Sequence, residues 1–393
     1  MLNIHADYQC RHQGPCCTAG WHIPIEPSAF GHLRAAMAER ILVAPGAPPG
    51  SSSTVAAAAC FSTDTPPAGA AAIVGLDGTG ACVFFDRDAG NLCAIQRACG
   101  HDSLPVTCQQ FPRIALIDAR GIHVTLSQYC PTAARMLFRD DIGGLSIVAN
   151  PAASIRRAAY EGFDATGTIP PLMRPGLVAD MEVAATWEAF AVRCFGCDGL
   201  APEAALVRLA FAGERIREWK PGAASLATTA RSACAAAQDV EPASRTIAPA
   251  DAIRLFLAAV ATVPEGLPRP ELPVDVDGLH ARLVAPAWSR LSRPIRRYLA
   301  AKAFAAWSAY CGEGLRTQVA LLAVALGVLA IESTRQAARE GRELNAEMLL
   351  EAIRQADFLL VHLASGDDLV RRFGRVEAMT RDAYLTELGV DLA

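Results

Sequence analysis

Hydrophobic positions recur at helical spacing through most of the chain beyond about residue 150. Trp187, Phe190, Ala191 and Cys194 fall at i, i+3, i+4 and i+7, and Leu206, Leu209 and Gly213 continue the pattern behind Pro202, which belongs in a helix's first turn. These spacings predict amphipathic helices. The run Val319 to Ile331 is apolar throughout but shorter than the roughly 18 to 20 residues that span a bilayer, so it predicts a buried helix. Leu267 to Pro273 carries three prolines and cannot continue a helix, which makes 264–275 a linker and a candidate division between two helical subdomains. Helices are expected again from Trp288, bent at Pro294, then over Thr317 to Arg339 and Asn345 to Leu363. No fixed-period repeat is present, which argues against a solenoid.

The first third reads differently. Ala, Gly, Pro, Ser and Thr dominate residues 43–72, a composition that predicts a flexible insertion. After it, AAIVGLD and ACVFFD flank a Gly-containing turn, and Ile114 to Ile117 and Ile122 to Leu126 flank Asp118 to Gly121; both predict hairpins. The expected fold is therefore mainly α, with a small loop-rich, cysteine-rich, metal-binding N-terminal region containing short β-hairpins. Residues 1–148 would form the cysteine-cluster domain and 149–393 the helical one.

Composition narrows the function. With 393 residues, 52% of them hydrophobic, the chain can bury one large core or two ordinary ones. A formal charge of −4 offers no basic footprint, so neither nucleic acid nor an anionic membrane is an expected partner. The start MLNIHADYQC lacks the positive and apolar regions of a secretory signal, and a cytoplasmic location is expected. In a reducing compartment the 13 cysteines are not a disulfide scaffold. Nine of them lie between Cys10 and Cys130, and only Cys194, Cys197, Cys234 and Cys311 lie beyond. The chemistry is concentrated in the first third.

Two clusters carry it. The first is Tyr8-Gln-Cys10-Arg-His-Gln-Gly-Pro-Cys16-Cys17-Thr-Ala-Gly-Trp21, and the second holds Cys82, Cys93, Cys99 and Cys108, followed by Cys130. Thiolates bind zinc and soft metals strongly, and a site needs about four ligands that converge in space. Adjacent Cys16 and Cys17 share a centre only if the chain turns there, and Gly14 and Pro15 supply a turn. Small buried cysteines also fill core space, but the turn-rich polar flanks favour ligands. Cys10, Cys16, Cys17, Cys82, Cys93, Cys108 and Cys130 are the candidate metal ligands.

These residues resemble the YkgJ-type cysteine-cluster family, in Gly90-Asn-Leu-Cys93-Ala-Ile95 and Cys108-Gln-Gln-Phe111-Pro112-Arg113. Within it the chain is similar to the flagellin lysine N-methylases, through Trp21-His-Ile23-Pro-Ile25, Leu104-Pro105-Val-Thr-Cys108-Gln-Gln-Phe111-Pro112-Arg113 and Leu126-Ser127-Gln-Tyr-Cys130-Pro131. The likeness covers residues 8–138. Where the family's first motif has a further cysteine, this chain has Gln13 or a neighbour. The resemblance implies an iron-sulfur cluster of the 4Fe-4S kind, with zinc as the competing metal, and methyl transfer from S-adenosylmethionine to a protein lysine, with flagellin as the implied acceptor. The competing class is a non-enzymatic, zinc-binding protein-interaction module with a structural cysteine cluster. The sequence assigns no catalytic or donor-binding residue.

Other features have ordinary readings beside them. Val74 to Gly80 reads as a hairpin turn rather than a nucleotide loop, since no long helix follows. Cys194-Phe-Gly-Cys197 is a metal half-site in form, but Cys194 also sits on an apolar stripe. His22, His101 and His123 are candidate ligands or bases whose commoner role is structural. Asp7, Tyr8, Trp21 and Tyr129 are candidates for a lysine channel by adjacency to the motifs alone.

Overall fold

The computed structural model describes residues 1–45, 60–149, 162–222, 224–240 and 247–387. Among them helices predominate and no strand exceeds six residues, so the protein is mainly α. At its centre is a single long helix, Leu315–Glu340, buried along almost its whole length. It is apolar on every face over Val319 to Ile331, which is the signature of a core helix. The helix runs 26 residues, well past that apolar stretch, because buried ion pairs carry its polar ends: Arg316 forks onto Glu214 at 2.7 Å from both nitrogens, and Arg335 pairs with Glu332 at 2.6 Å. By length and composition it could cross a membrane, but here the protein itself covers it.

Around it pack the helices Met181–Gly196, Pro202–Arg217, Pro249–Val260, Ser292–Ala303 and Ala346–Asp357. The predicted stripe is buried as expected: Trp187, Phe190, Ala191 and Cys194 all enter the core. Asp180 starts the first of these helices by accepting the Val183 N–H, and Pro202 opens the next. Gly327 lets Pro249–Val260 approach, since a Cβ there would lie 3.0 Å from Leu255 Cβ. The segment before the last helices is broken rather than smoothly bent: a π turn at His280–Val284 and a 3-10 turn at Ser289–Leu291 precede Ser292–Ala303, which has Pro294 in its first turn, where proline costs no hydrogen bond. Leu255 and Val263 before the proline-rich stretch, and Val276 and Val284 after it, belong to one continuous core.

The cysteine-bearing part has a smaller core of its own, from Ile23 to Leu104, built on Ile25, Leu33, Val83, Phe84 and Ile95. Leu2, Ile4, Leu116, Ala134, Leu137 and Leu145 instead pack into the helical core. Of the expected flexible insertion over 43–72, residues 46–59 lie outside the described residues. The part after them folds inward, with Cys60 fully buried and Ala72–Ile73 paired antiparallel to Pro24–Ile25. Around Val74 to Gly80 the chain makes the turn anticipated, Asp77 accepting from Thr79 and Ala81. Arg113–Asp118 and Gly121–Leu126 form the second expected hairpin, with Gly162–Asp164 added parallel on the far edge.

Replacing Gly327 by Val should force the Pro249–Val260 helix outward and cost about 1–3 kcal/mol by overpacking. A lower urea midpoint at unchanged slope would show it; an unchanged midpoint would mean that the two helices do not depend on that close contact.

Candidate functional site

All seven candidate cysteines line one cavity of about 250 Å³. Gly14, at φ +91°, turns the first cluster where a Cβ would meet the Phe85 ring at 2.8 Å, and the Pro15–Cys17 turn sets Cys16 Sγ and Cys17 Sγ 3.8 Å apart. The Cys82 N–H donates to Cys17 O at 2.8 Å, joining the two clusters through the backbone. Cys93 and Cys130 each immediately precede a short helix, Ala94–Cys99 and Pro131–Met136, with the N–H groups of Ile95 and Gln96 toward the first sulfur and those of Thr132 and Ala133 toward the second, while Cys108 lies within Val106–Gln110. Gln13 also lines the cavity, an amide near the position where the resembled motif has a thiol, with its Oε1 accepting from Thr132 Oγ1 at 3.3 Å.

The donor set is soft. Sulfur and the imidazoles of His12, His22 and His362 face the cavity, and among the described residues no Asp, Glu, Lys or Arg lines it. Burial pushes Cys82 up to about 12 and raises Cys93 and Cys130, whereas Cys16 is held low because its sulfur accepts a hydrogen bond from Cys17. Cys17 is raised, as the donor in that pair and by burial. Among the described residues, no three His, Cys, Asp or Glu side chains are gathered tightly enough to hold a metal ion. The thiols line the walls of a space several times a water's share of about 30 Å³, rather than closing on one point.

An aromatic wall closes one side. Trp21 donates from Nε1 to Cys16 O at 2.7 Å and meets Phe111, Tyr129 and His362 edge-on at 5.4, 5.5 and 4.8 Å between centroids. The Tyr8 hydroxyl is 3.5 Å from Cys130 Sγ, and Arg113 stacks on the Tyr8 ring. Asp7 is elsewhere, paired with Arg139 at the surface.

Behind the wall lies a buried polar chain. Asp357, fully buried, accepts from Ser127 Oγ at 2.9 Å, from the Gln128 N–H at 2.6 Å and from the Tyr129 N–H at 3.3 Å, and ion-pairs with Lys302. With the Ser127 proton committed to that carboxylate, His362 Nε2, 2.8 Å from Ser127 Oγ, is the donor of its pair. Nδ1 of the ring then carries the lone pair. Burial holds His362 down at about 4, so the ring is neutral near pH 7. His362 lies on a π-helical turn, Phe358–Leu363, that extends the Ala346–Asp357 helix. Leu360 and Val361 of the same turn line a second cavity of about 510 Å³, as does Lys302. The turn is thus the partition between the two.

The remaining sequence candidates fall outside. Cys60 is buried in the smaller core, and Cys99 packs against it without reaching the cavity. Cys194 is buried in the helical core and Cys197 is exposed, so the pair makes no half-site with the thiol cavity. His123 lies beside Asp118 and Phe304, and His101 is exposed; neither lines the cavity. His362 was missed because it follows Cys130 by more than 200 residues, inside a run that reads as plain helix. His12 sat unremarked between Cys10 and Cys16 and had only that position to mark it. Comparison with protein-family models, with curated proteins and with solved structures finds no match for this chain.

Two outcomes follow from this geometry. Asp357→Ala would leave Lys302 partly buried without its partner and should cost about 3–5 kcal/mol in urea denaturation, with Lys302→Met in the same chain recovering part of it. His5, depressed by burial to about 3, and His362, to about 4, remain neutral in the folded protein, while the unfolded chain protonates them near 6.5. The unfolded state therefore binds more protons below that pH, and stability should fall as pH is lowered from about 6.5 towards 4. His5→Gln should flatten that fall between pH 7.5 and 5; an unaltered slope would contradict the assignment.

Proposed function

We propose that the chain is a protein-lysine N-methyltransferase that uses S-adenosylmethionine and carries a cysteine-ligated iron-sulfur cluster in its N-terminal region, with flagellin as the acceptor to test first. The observation that supports this reading best is that seven cysteines drawn from motifs spread over 120 residues line one cavity. The same motifs supply Trp21 and Phe111 to its wall and Ser127 to the polar chain behind it.

The residues present suit such a group. Cys10, Cys16, Cys17, Cys82, Cys93, Cys108 and Cys130 are the pool from which ligands would come, and the absence of carboxylates from the wall disfavours calcium or magnesium, which take oxygen. Burial leaves Cys82, Cys93 and Cys130 reluctant to ionise alone, so a soft cation is what would offset the cost of making them thiolates. A bound cluster would supply soft Lewis acidity or one-electron chemistry. The chain's own contribution is clearer: Trp21 and Phe111 wall one side of the cavity, Tyr8 lies 3.5 Å from Cys130 Sγ, and Ser127 and Asp357 fix the His362 ring with an unprotonated nitrogen available. Methyl transfer needs a dry site and a deprotonated lysine amine.

One observation favours the runner-up, a binding module with structural zinc. Four sulfurs about 2.3 Å from zinc in a tetrahedron stand about 3.8 Å apart, and Cys16 Sγ and Cys17 Sγ already have that separation.

Anaerobic purification with metal analysis and a visible spectrum separates the two. Iron with matching sulfide, absorbing near 400 nm and bleached on reduction, and lost from a Cys16→Ser, Cys108→Ser variant, would support the enzyme and lead to an assay of methyl transfer to flagellin lysines. Stoichiometric zinc without colour favours the module. Absence of metal from both proteins would sink both.

A further inference from the structure

The second cavity, about 510 Å³, has the volume of a small-molecule site. Trp187, Phe304, Trp307 and Leu322 make much of its wall apolar and aromatic. Thr125 donates to Ala301 O and Trp187 to Gln318, but three other donors among the described wall residues have nothing to donate to. Gln318, 8% exposed, accepts the Trp187 Nε1–H on its Oε1 at 3.0 Å, which fixes the amide and leaves both Nε2 hydrogens without a partner among the described residues. The hydroxyl of Ser308, also 8% exposed, and the Trp307 indole N–H make no hydrogen bond among the described residues either.

Lys302 adds a charge. Its side chain is 19% exposed and pairs with Asp357. The ammonium has three N–H groups; Asp357 takes it on one side, the Tyr298 ring lies 5.5 Å away, and no other acceptor among the described residues takes the rest. The one carboxylate among the described wall residues, Asp367, is exposed to solvent, where water screens it. An apolar enclosure whose donors are unspent is complementary to an apolar molecule bearing acceptors, and a charged donor among them selects an anion.

We infer that this cavity binds a small carboxylate carried on an apolar, preferably aromatic, body, with Lys302 and the donors beside it taking the carboxylate. The identity of the occupant rests on the methyl-transfer reading: S-adenosylmethionine combines an aromatic base with a carboxylate, and in this cavity only the Phe358–Leu363 turn would separate it from the thiols. The site itself does not rest on that reading.

Isothermal titration of the full chain at neutral pH tests it, with 1-naphthoate as the carboxylate probe and 1-naphthalenemethanol as its neutral counterpart. Naphthoate should bind one per chain, at least tenfold tighter than the alcohol. A Lys302→Met, Asp357→Asn double variant, which removes the charge without stranding its partner, should lose that preference. Ala306→Trp, which fills the cavity from a half-buried wall position, should abolish binding of both while the circular dichroism spectrum is unchanged. Equal affinities for acid and alcohol, or undiminished binding to Ala306→Trp, would overturn the site. Binding should survive Cys16→Ser, Cys108→Ser, so failure of the metal reading leaves this result intact. Displacement of naphthoate by S-adenosylmethionine would identify the occupant; saturable S-adenosylmethionine binding without displacement would overturn that identity and leave a carboxylate site for another ligand.

Discussion

The carboxylate of Asp357 holds the two parts of this protein together. It is fully buried, and an isolated charge in that position would be prohibitively costly. What makes it tolerable comes from both sides at once: the Ser127 hydroxyl and the Gln128 and Tyr129 amides from the cysteine-bearing part, and the Lys302 ammonium from the helical body. Arg354 reinforces the joint by donating to Tyr129 O at 2.9 Å, as do Arg297 to the carbonyls of Leu137 and Ile142, at 3.1 and 2.6 Å. The aromatic wall and the position of His362 are set by the same joint, since the histidine reaches Asp357 through Ser127.

This arrangement gives the motif Leu126-Ser127-Gln-Tyr-Cys130-Pro131 two jobs. Cys130 faces the thiol cavity and begins a helix, while Ser127, three residues earlier, anchors the strand end to the helical body. A short motif that supplies a candidate ligand and also fixes the depth of its element gives the cavity a defined geometry without a large local core.

Much of this was legible in the sequence, for reasons that differ by element. The helix bearing Trp187 and Cys194 follows a 3.6 period that nothing in the tertiary structure contradicts, and the hairpin at Asp118 to Gly121 is a local decision. The seven cysteines were legible as a set because their residue type is unusual and their flanks turn. What was hidden was long-range. The extent of the central helix, expected over Thr317 to Arg339 and found over Leu315–Glu340, was legible, but the partner of its buried Arg316, Glu214, lies about 100 positions away. The break before Pro294 is a 3-10 turn at Ser289–Leu291, preceded by a π turn at His280–Val284, and no apolar pattern announces either. His362 lies where helical periodicity predicts an ordinary surface or core position, and only the closing of one part on the other brings it to the sulfur atoms.

The π turn at Phe358–Leu363 has one more consequence, for how this protein can change over time. An α-helix advances about 100° per residue, and a π turn holds one more residue per hydrogen-bonded loop than an α-helix does. The turn absorbs that extra residue locally, so losing it would restore plain helix with little change of phase beyond, but the side chains of the turn itself, His362 toward the thiols and Leu360 and Val361 toward the larger cavity, would no longer all keep their places. Both cavities therefore share one reading frame of six residues, so insertions and deletions in that segment are far less tolerable than substitutions, although it only closes an otherwise ordinary helix.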